Sequence, residues 1–199
     1  MARYTGLHAA AHSGDVARIE SLVAGGLDVN ARDAYGRTAL HIATFARKPD
    51  AVRALIKGGA RTELLENDKY DAVTVAAVAD DEATLRALLS SGASAKLTTS
   101  RYDGTALIAA AHLGHDGVVK QLIAAGAPLD HVNNLHWTAL IESIVLGNGG
   151  RRHIETLRAL VAAGANLQLA DRNGNTPLTL ARTRGYTEMV KILIQAGAR

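Results

Sequence analysis

The sequence predicts an all-α protein in which six copies of one helix pair follow each other along the chain. Three observations lead to this prediction. Glycines recur at a nearly constant spacing, an aliphatic pattern of helical period precedes each glycine, and a helix-starting residue opens a second apolar segment upstream. A fixed period of this length is the sequence signature of proteins that stack short structural repeats.

The second helix of each repeat is marked by the glycine that ends it. Successive glycines, from Gly26 to Gly197, lie 33, 33, 34, 38 and 33 residues apart. An aliphatic pair precedes each glycine, and a further aliphatic residue lies three positions before the pair, as Val119 lies before Leu122. This i, i+3, i+4 pattern predicts an amphipathic helix with a glycine cap at its C-terminus.

The first helix of each repeat is marked by a threonine, followed two positions later by leucine and then by small residues. Threonine caps helix starts, and alanine lets neighbouring helices approach closely. Ala72 takes the threonine place in the third repeat. Each repeat is therefore predicted to hold a capped first helix, a turn, a second helix and a loop. The threonines are Thr5, Thr38, Thr105, Thr138 and Thr176.

The composition fits an array of packed helices. The chain has 199 residues, of which 48% are hydrophobic and 21% charged, which is too little charge for a disordered protein. Its apolar residues are mostly aliphatic, with one Phe and one Trp, and the absence of Cys excludes disulfides, thiol chemistry and Cys-based zinc sites. The net charge of +3 comes from scattered basic residues rather than from a patch.

The chain carries no membrane or export signal. No apolar run reaches the roughly 18 residues of a membrane span, and the first residues lack the pattern of a signal peptide. We therefore expect a cytoplasmic protein, or a periplasmic or secreted one if a native leader was removed.

Three segments, "GRTALHIA", "GNTPLTLA" and "GHDGVVKQLIAAGAPLD", resemble the ankyrin repeat, which has a TPLH-type helix start, a G-H turn and a closing LL-x-x-G-A. The resemblance covers nearly the whole chain and implies one domain over residues 1–199. That domain would be an ankyrin-repeat solenoid of stacked helix pairs with β-hairpin-like finger loops and capping terminal repeats. The repeats run approximately over 4–31, 32–64, 65–97, 98–131, 132–169 and 170–199.

The resemblance implies a non-enzymatic module, expected to be a monomer without cofactor or metal. Its protein or peptide partner would bind the concave face formed by finger tips and first helices. Most aromatic residues fall at these positions, where they suit an interface. Nucleic acid is not expected, because Asp33, Asp71, Asp80 and Asp103 share this face with the Arg residues. The candidate binding residues are Tyr35, Phe45, Arg101, Tyr102, Asp103, His112, Asn134, His136, Trp137 and Glu142. His8 and His41 occupy the histidine of the TPLH-type start and are expected to bond the neighbouring finger.

The middle repeats depart from the family pattern at the finger turn. Two residues before the threonine, ordinary repeats carry Gly36 or Gly174, but the third to fifth repeats carry Tyr70, Asp103 and His136. Either these fingers turn differently, or backbone strain is tolerated for the function of these side chains.

Glu142 lies at a helical position that is apolar elsewhere, and a buried carboxylate needs a partner or a raised pKa. We expect His136, Arg101 or His112 beside it, or else hydrogen bonds to backbone amides of its finger. The other repeats carry Ala9, Ile42, Ala76, Ala109 and Leu180 there.

An alternative function is a small-ligand or unusual enzymatic site where the fourth and fifth repeats meet. It would use five residues of that region: Asp103, Asn134, His136, Trp137 and Glu142. The fifth repeat also has a longer turn between its helices, with 17 residues from Gly147 to Gly164 against 12 from Gly114 to Gly126. We expect this insertion to form a separate local feature away from the fingers.

Overall fold

The computed structural model describes residues 6–199, and within them it contains twelve α-helices and two short strands. The first helices of the repeats are α1 Gly6–Ser13, α3 Ala39–Phe45, α5 Ala72–Val78, α7 Ala106–Leu113, α9 Ala139–Val145 and α11 Pro177–Thr183. The second helices are α2 Val16–Ala24, α4 Pro49–Lys57, α6 Glu82–Ser90, α8 Asp116–Ala124, α10 Arg151–Ala162 and α12 Thr187–Gln195. The strands are β1 Thr98–Thr99 and β2 Gly104–Thr105. The predicted all-α repeat architecture is confirmed.

The chain divides into two compact units, Met1–Arg101 and Tyr102–Arg199. In the first unit, α1, α3 and α5 pack side by side, and α2, α4 and α6 form a second layer against them. The second unit repeats this arrangement, with α7, α9 and α11 in one layer and α8, α10 and α12 in the other. That all six repeats form one cooperative domain stays a prediction.

The first helices begin where the threonine pattern predicts, with one correction. Thr38, Thr105, Thr138 and Thr176 are the residues that cap α3, α7, α9 and α11. In the third repeat the cap is Asp71 rather than Ala72, because the Asp71 carboxylate accepts the Thr74 N–H at 2.8 Å and a methyl group cannot. The third repeat is therefore shifted by one residue, and Thr5 lies outside the described residues.

The core of both units is aliphatic, as the composition predicts. Each fully buried Leu or Ile contributes about 1.5–3 kcal/mol by leaving water. In the first unit these side chains include Leu7, Ile19, Leu40, Leu55, Leu85 and Leu88. In the second unit they include Leu107, Leu122, Leu140, Ile141, Ile144 and Leu157. None of the helices described over residues 6–199 has the length and apolarity needed to cross a bilayer.

The two histidines of the helix starts connect neighbouring repeats, as predicted. The Nε2 atom of His8 donates to the Arg37 carbonyl at 3.1 Å, and that of His41 donates to the Tyr70 carbonyl at 3.1 Å. The Nδ1 atom of His41 accepts the Thr38 N–H, and burial lowers the pKa of the ring. His41 is therefore a neutral structural residue.

Four of the fingers are each held by one polar side chain at the base, while the finger of the fourth repeat is flanked by strands β1 and β2 instead. The oxygen of that side chain accepts the backbone N–H groups of the residues two and four positions further on, at distances of 2.8–3.0 Å. This pairing closes a tight turn without a long hairpin. The residues in this role are Asp33, Glu66, Asn133 and Asp171.

Candidate functional site

The finger turns of the middle repeats keep a positive φ at the position that glycine occupies in the ordinary repeats. Gly36 and Gly174 have φ of 73° and 78°, and Asp103 and His136 have φ of 52° and 62°. In the third repeat the residue with positive φ is Lys69, at 65°, and not Tyr70, which follows from the one-residue shift at Asp71. In the third and fifth repeats the turn is therefore kept and its strain falls on residues with a side chain, whereas the finger of the fourth repeat turns differently, with Ser100 also at a positive φ of 69° between strands β1 and β2. That this strain serves the function of these side chains stays a prediction.

We predict that His136→Gly raises the stability of the second unit by roughly 0.5–1 kcal/mol, because glycine adopts φ of 62° without the strain of a side chain. The measurement is the midpoint of urea denaturation. The matched control is Gly174→Ala, which introduces strain at the same turn position and should lower that midpoint. A loss of stability on His136→Gly would show that the imidazole itself supports the fold.

In the first unit, aromatic side chains lie exposed at a finger tip and at the end of a first helix. Tyr35 is 64% exposed and Phe45 is 52% exposed. The guanidinium of Arg37 lies 4.7 Å from the centre of the Tyr35 ring, a cation–π contact that orients the ring at the tip. These apolar surfaces are available to a partner.

The second unit presents a similar set of exposed residues. Tyr102 is 57% exposed at its finger, and Leu113 and Leu146 are exposed at the ends of α7 and α9. Trp137 is only half-buried within its finger. The fingers are joined by a hydrogen bond from the Asn134 N–H to the Tyr102 carbonyl at 2.9 Å.

The acidic residues expected on this face do not all reach it. Asp33 and Asp71 are buried, at 5% and 1% exposure, because they hold a finger turn and cap a helix. The acidic face that disfavours nucleic acid is therefore smaller than expected. Arg101 is exposed in the first unit, and its guanidinium pairs with the Asp68 carboxylate.

Glu142 is buried in the first helix of the fifth repeat. Its Oε1 atom accepts a hydrogen bond from Asn133 Nδ2 at 2.9 Å, and its Oε2 atom lies 3.5 Å from His112 Nδ1. Of the three expected neighbours, His112 is the one that the structure places beside the carboxylate. The alternative of hydrogen bonds to backbone amides of the finger was wrong, because the Asn133 side-chain amide takes their place.

Asn133 is the residue of this cluster that sequence reasoning missed. It accepts the N–H groups of Leu135 and Trp137 with Oδ1 and donates to Glu142 with Nδ2. A carboxylate could make the first two bonds but not the third. The sequence does contain an indication of this role. The matching finger positions of other repeats carry the acids Asp33, Glu66 and Asp171, whereas the repeat that gains Glu142 carries an amide there.

The surroundings shift the protonation of the Glu142–His112 pair. Burial raises the pKa of Glu142 from its ordinary 4.5 to about 7, while the Asn133 hydrogen bond opposes that change. Burial, with the nearby His153, lowers the pKa of His112. Near neutral pH the carboxyl group therefore competes with the imidazole for one proton.

The insertion of the fifth repeat contacts this cluster instead of forming a separate feature. His153 Nε2 donates to the His112 carbonyl at 2.9 Å, and the His153 ring lies against Gly114 and Gly147. On the other side, the Tyr186 hydroxyl donates to the Gly147 carbonyl at 2.8 Å. The expectation of a separate local element was wrong, because the additional residues let α10 begin early enough for His153 to reach α7.

The five residues of the alternative site do not assemble around Glu142. Both carboxylate oxygens face Asn133 and His112, whereas Asp103 and His136 are exposed finger residues. A cleft of about 450 Å³ in the second unit lies elsewhere, between α8 and α10, on a floor of Ile123 and alanines. Among residues 6–199, no three His, Asp or Glu side chains are grouped so that they could hold a metal ion.

Comparison with known proteins agrees with this architecture. The family model described as ankyrin repeats in three copies matches residues 73–151 and 107–199, and the model for many copies matches residues 7–56. The chain is 40% identical over 100 residues to the putative ankyrin repeat protein YahD of Escherichia coli (strain K12). That match spans half of this chain and half the length of the relative.

Solved structures share the fold over nearly the whole chain. An ankyrin repeat domain from Acinetobacter baumannii AYE matches with a TM-score of 0.91 and 44% identity, covering 97% of this chain and 98% of that one. A chain in the complex of the predatory endopeptidase Bd0816 from Bdellovibrio bacteriovorus with the immunity protein Bd3460 matches with a TM-score of 0.73 and 26% identity, covering 96% and 97%. With six helix pairs, capped as described and joined through finger turns, the chain belongs to the ankyrin repeat family.

Proposed function

We propose that this protein is a non-enzymatic interaction module that binds a protein or peptide on the concave face of finger tips and first helices. The observation that supports this most directly is the placement of its aromatic residues. Tyr35, Phe45 and Tyr102 are more than half exposed at finger tips or first-helix ends, while the core is aliphatic. Exposed aromatic side chains are typical anchors of protein interfaces.

The surroundings of Tyr102 support an interface in the second unit. Exposed Leu113 and Leu146 extend the apolar surface along the ends of the first helices, and half-exposed His112 and half-buried Trp137 add polar and aromatic groups. An apolar centre with a polar rim is the usual anatomy of a protein interface. Ankyrin repeat folds generally serve protein–protein interaction. The likeness to a chain from an endopeptidase–immunity protein complex supports a partner that is also a protein.

We predict that Tyr102→Ala weakens partner binding at least about tenfold, which corresponds to the roughly 1.4 kcal/mol of a moderate hot spot. The measurement is affinity capture from an extract of the source cells with quantitative mass spectrometry, followed by titration of the purified partner. The fold should be unaffected, because the Tyr102 ring is 57% exposed and its carbonyl bond to Asn134 remains.

The matched control is Ile194→Ala, which removes another exposed apolar side chain of the second unit, from α12. The proposal requires a protein whose recovery falls with Tyr102→Ala and not with Ile194→Ala. If every captured protein is recovered equally with both variants, the finger face of the second unit is not the binding surface.

A further inference from the structure

His112 combines exposure on the proposed binding face with contact to a buried acid. Its side chain is 46% exposed at the last turn of α7, next to exposed Leu113, while the Glu142 side chain is 5% exposed. His112 Nδ1 lies 3.5 Å from Glu142 Oε2, close enough for a shared proton to bring the two atoms into a hydrogen bond. Among residues 6–199, His112 Nε2 has no hydrogen-bond partner, so this nitrogen is available to a bound molecule.

The backbone of His112 is held in place by His153, which is itself held by Asn148. The His112 backbone carbonyl accepts a hydrogen bond from His153 Nε2, and the Nδ1 atom of His153 lies 3.1 Å from Asn148 Oδ1. Burial and the nearby His153 lower the pKa of His112, which disfavours a positive charge on its ring.

The other charged groups near the pair are accounted for on each packed element. On α10, Arg151 is exposed, and Arg152 pairs with Asp116 at the surface. Arg158 pairs there with Glu155 and Glu188. On α11, Arg182 is exposed. On α8, which packs against α7, Asp116 pairs with Lys120 and Arg152 at the surface, and His115 lies at the helix start. The titratable groups in direct contact are therefore Glu142 and His112.

We propose that Glu142 sets which nitrogen of His112 carries its proton, and so changes His112 Nε2 from a hydrogen-bond donor to an acceptor as the pH rises. When Glu142 is protonated, its Oε2–H donates to His112 Nδ1, and the imidazole proton resides on Nε2. As the pH rises, the Glu142 proton passes to His112 Nδ1 and the Nε2 proton leaves to solvent, so that the carboxylate accepts from Nδ1–H and Nε2 carries a lone pair instead. The total charge of His112 is zero in both states.

This inference rests on the proposed function, because a change at Nε2 matters only if a partner contacts that face. The change would make binding at that face depend on pH. At lower pH a carbonyl or carboxylate of the partner would accept from Nε2–H, and at higher pH an amide or hydroxyl of the partner would donate to Nε2. Since burial raises the pKa of Glu142 to about 7, the change is centred near neutral pH.

The test is nitrogen-15 NMR of the imidazoles in the whole protein, which reports the protonation of each ring nitrogen without any partner. From about pH 6 to about pH 8.5, we expect His112 to change from mainly Nε2–H to mainly Nδ1–H. His136 is the internal control, because it is exposed and has no carboxyl partner among the described residues. It should show no comparable change in the protonated nitrogen of its neutral form.

Glu142→Gln tests the cause. The glutamine amide can accept from Asn133 and donate to His112 Nδ1, so His112 should stay in the Nε2–H form at every pH. Glu142→Leu, which restores the aliphatic class of the other repeats, should also abolish the pH-dependent change if the glutamine variant folds poorly. The proposal is overturned if wild-type His112 keeps one form throughout, or if the change survives in both variants. Either outcome leaves the Tyr102 test of partner binding intact.

Discussion

Asn133→Asp is expected to destabilise the second unit by about 3 kcal/mol or more at pH 8, and Glu142→Leu is expected to rescue it. The substitution places a second carboxylate 2.9 Å from Glu142 Oε1, where the amide now donates a hydrogen bond. Two buried carboxylates in contact cannot both ionise at low cost, so one must take up a proton or the helix must move.

The loss should depend on pH in a defined direction. The folded-state pKa of Glu142, about 7, lies above the ordinary 4.5, so its contribution to stability is complete below about 4.5 and lost as pH rises through 7. A second carboxylate raises that pKa further. The destabilisation by Asn133→Asp should therefore be small near pH 5 and large near pH 8. Urea denaturation followed by the fluorescence of Trp137, the one tryptophan of the chain, measures it beside the site.

The rescue follows from the sixth repeat, which has Asp171 at the finger position and Leu180 at the helix position. Asn133→Asp with Glu142→Leu recreates that combination, and its stability should return to within about 1 kcal/mol of the wild type. Glu142→Leu alone leaves Asn133 Nδ2 without its acceptor, which costs about 1–3 kcal/mol and offsets the gain from removing a buried acid. The double-mutant cycle should thus show coupling of at least about 2 kcal/mol. Additive effects would mean that the two side chains do not interact in solution.

Gly147→Ala is expected to destabilise the second unit by about 3 kcal/mol or more. A Cβ atom at this position would lie 2.1 Å from the Ser143 carbonyl oxygen and 2.8 Å from the His153 ring. The backbone oxygen belongs to α9 and cannot move without breaking the helix end, so the insertion must shift instead. We also expect faster amide hydrogen exchange over residues 147–153, because His153 then loses its bond to His112.

The control is Gly150→Ala in the same insertion. Gly150 has an extended backbone with φ of −77°, and its Cβ would meet only the Asn148 side chain. This substitution should change stability by less than about 1 kcal/mol. Equal effects of the two alanines would show that the insertion is not held against α9 and α7.

The fold could be predicted from sequence because each of its rules is local. A threonine or aspartate cap, a helical period of aliphatic residues and a closing glycine all act within about ten residues, and six copies repeat them. One error, Ala72 for Asp71 as the helix cap, arose because the Thr pattern is missing in that repeat and the Asp cap was not considered.

The site could be predicted only in part, because its contacts join distant positions. Glu142 stood out as an acid at an apolar position, but Asn133 is nine residues away in a loop, and its role shows only when the finger turns are compared. His153 reaches the carbonyl of His112 across 41 residues, and no periodicity reports such a contact. A single sequence thus does not reveal pairs of residue changes that compensate each other when the two residues lie on different elements.

The insertion also limits how freely the repeats can be exchanged. In an ordinary array each repeat contributes a similar interface on both sides, so that copies can be removed or duplicated with predictable results. Here the insertion of the fifth repeat holds His112 of the fourth through His153 and receives the hydroxyl of Tyr186 from the sixth. The last three repeats therefore depend on one another. Replacing the sixth repeat with a standard one would remove the Tyr186 contact to the insertion, and so would also affect the insertion residue that bonds His112, two repeats away.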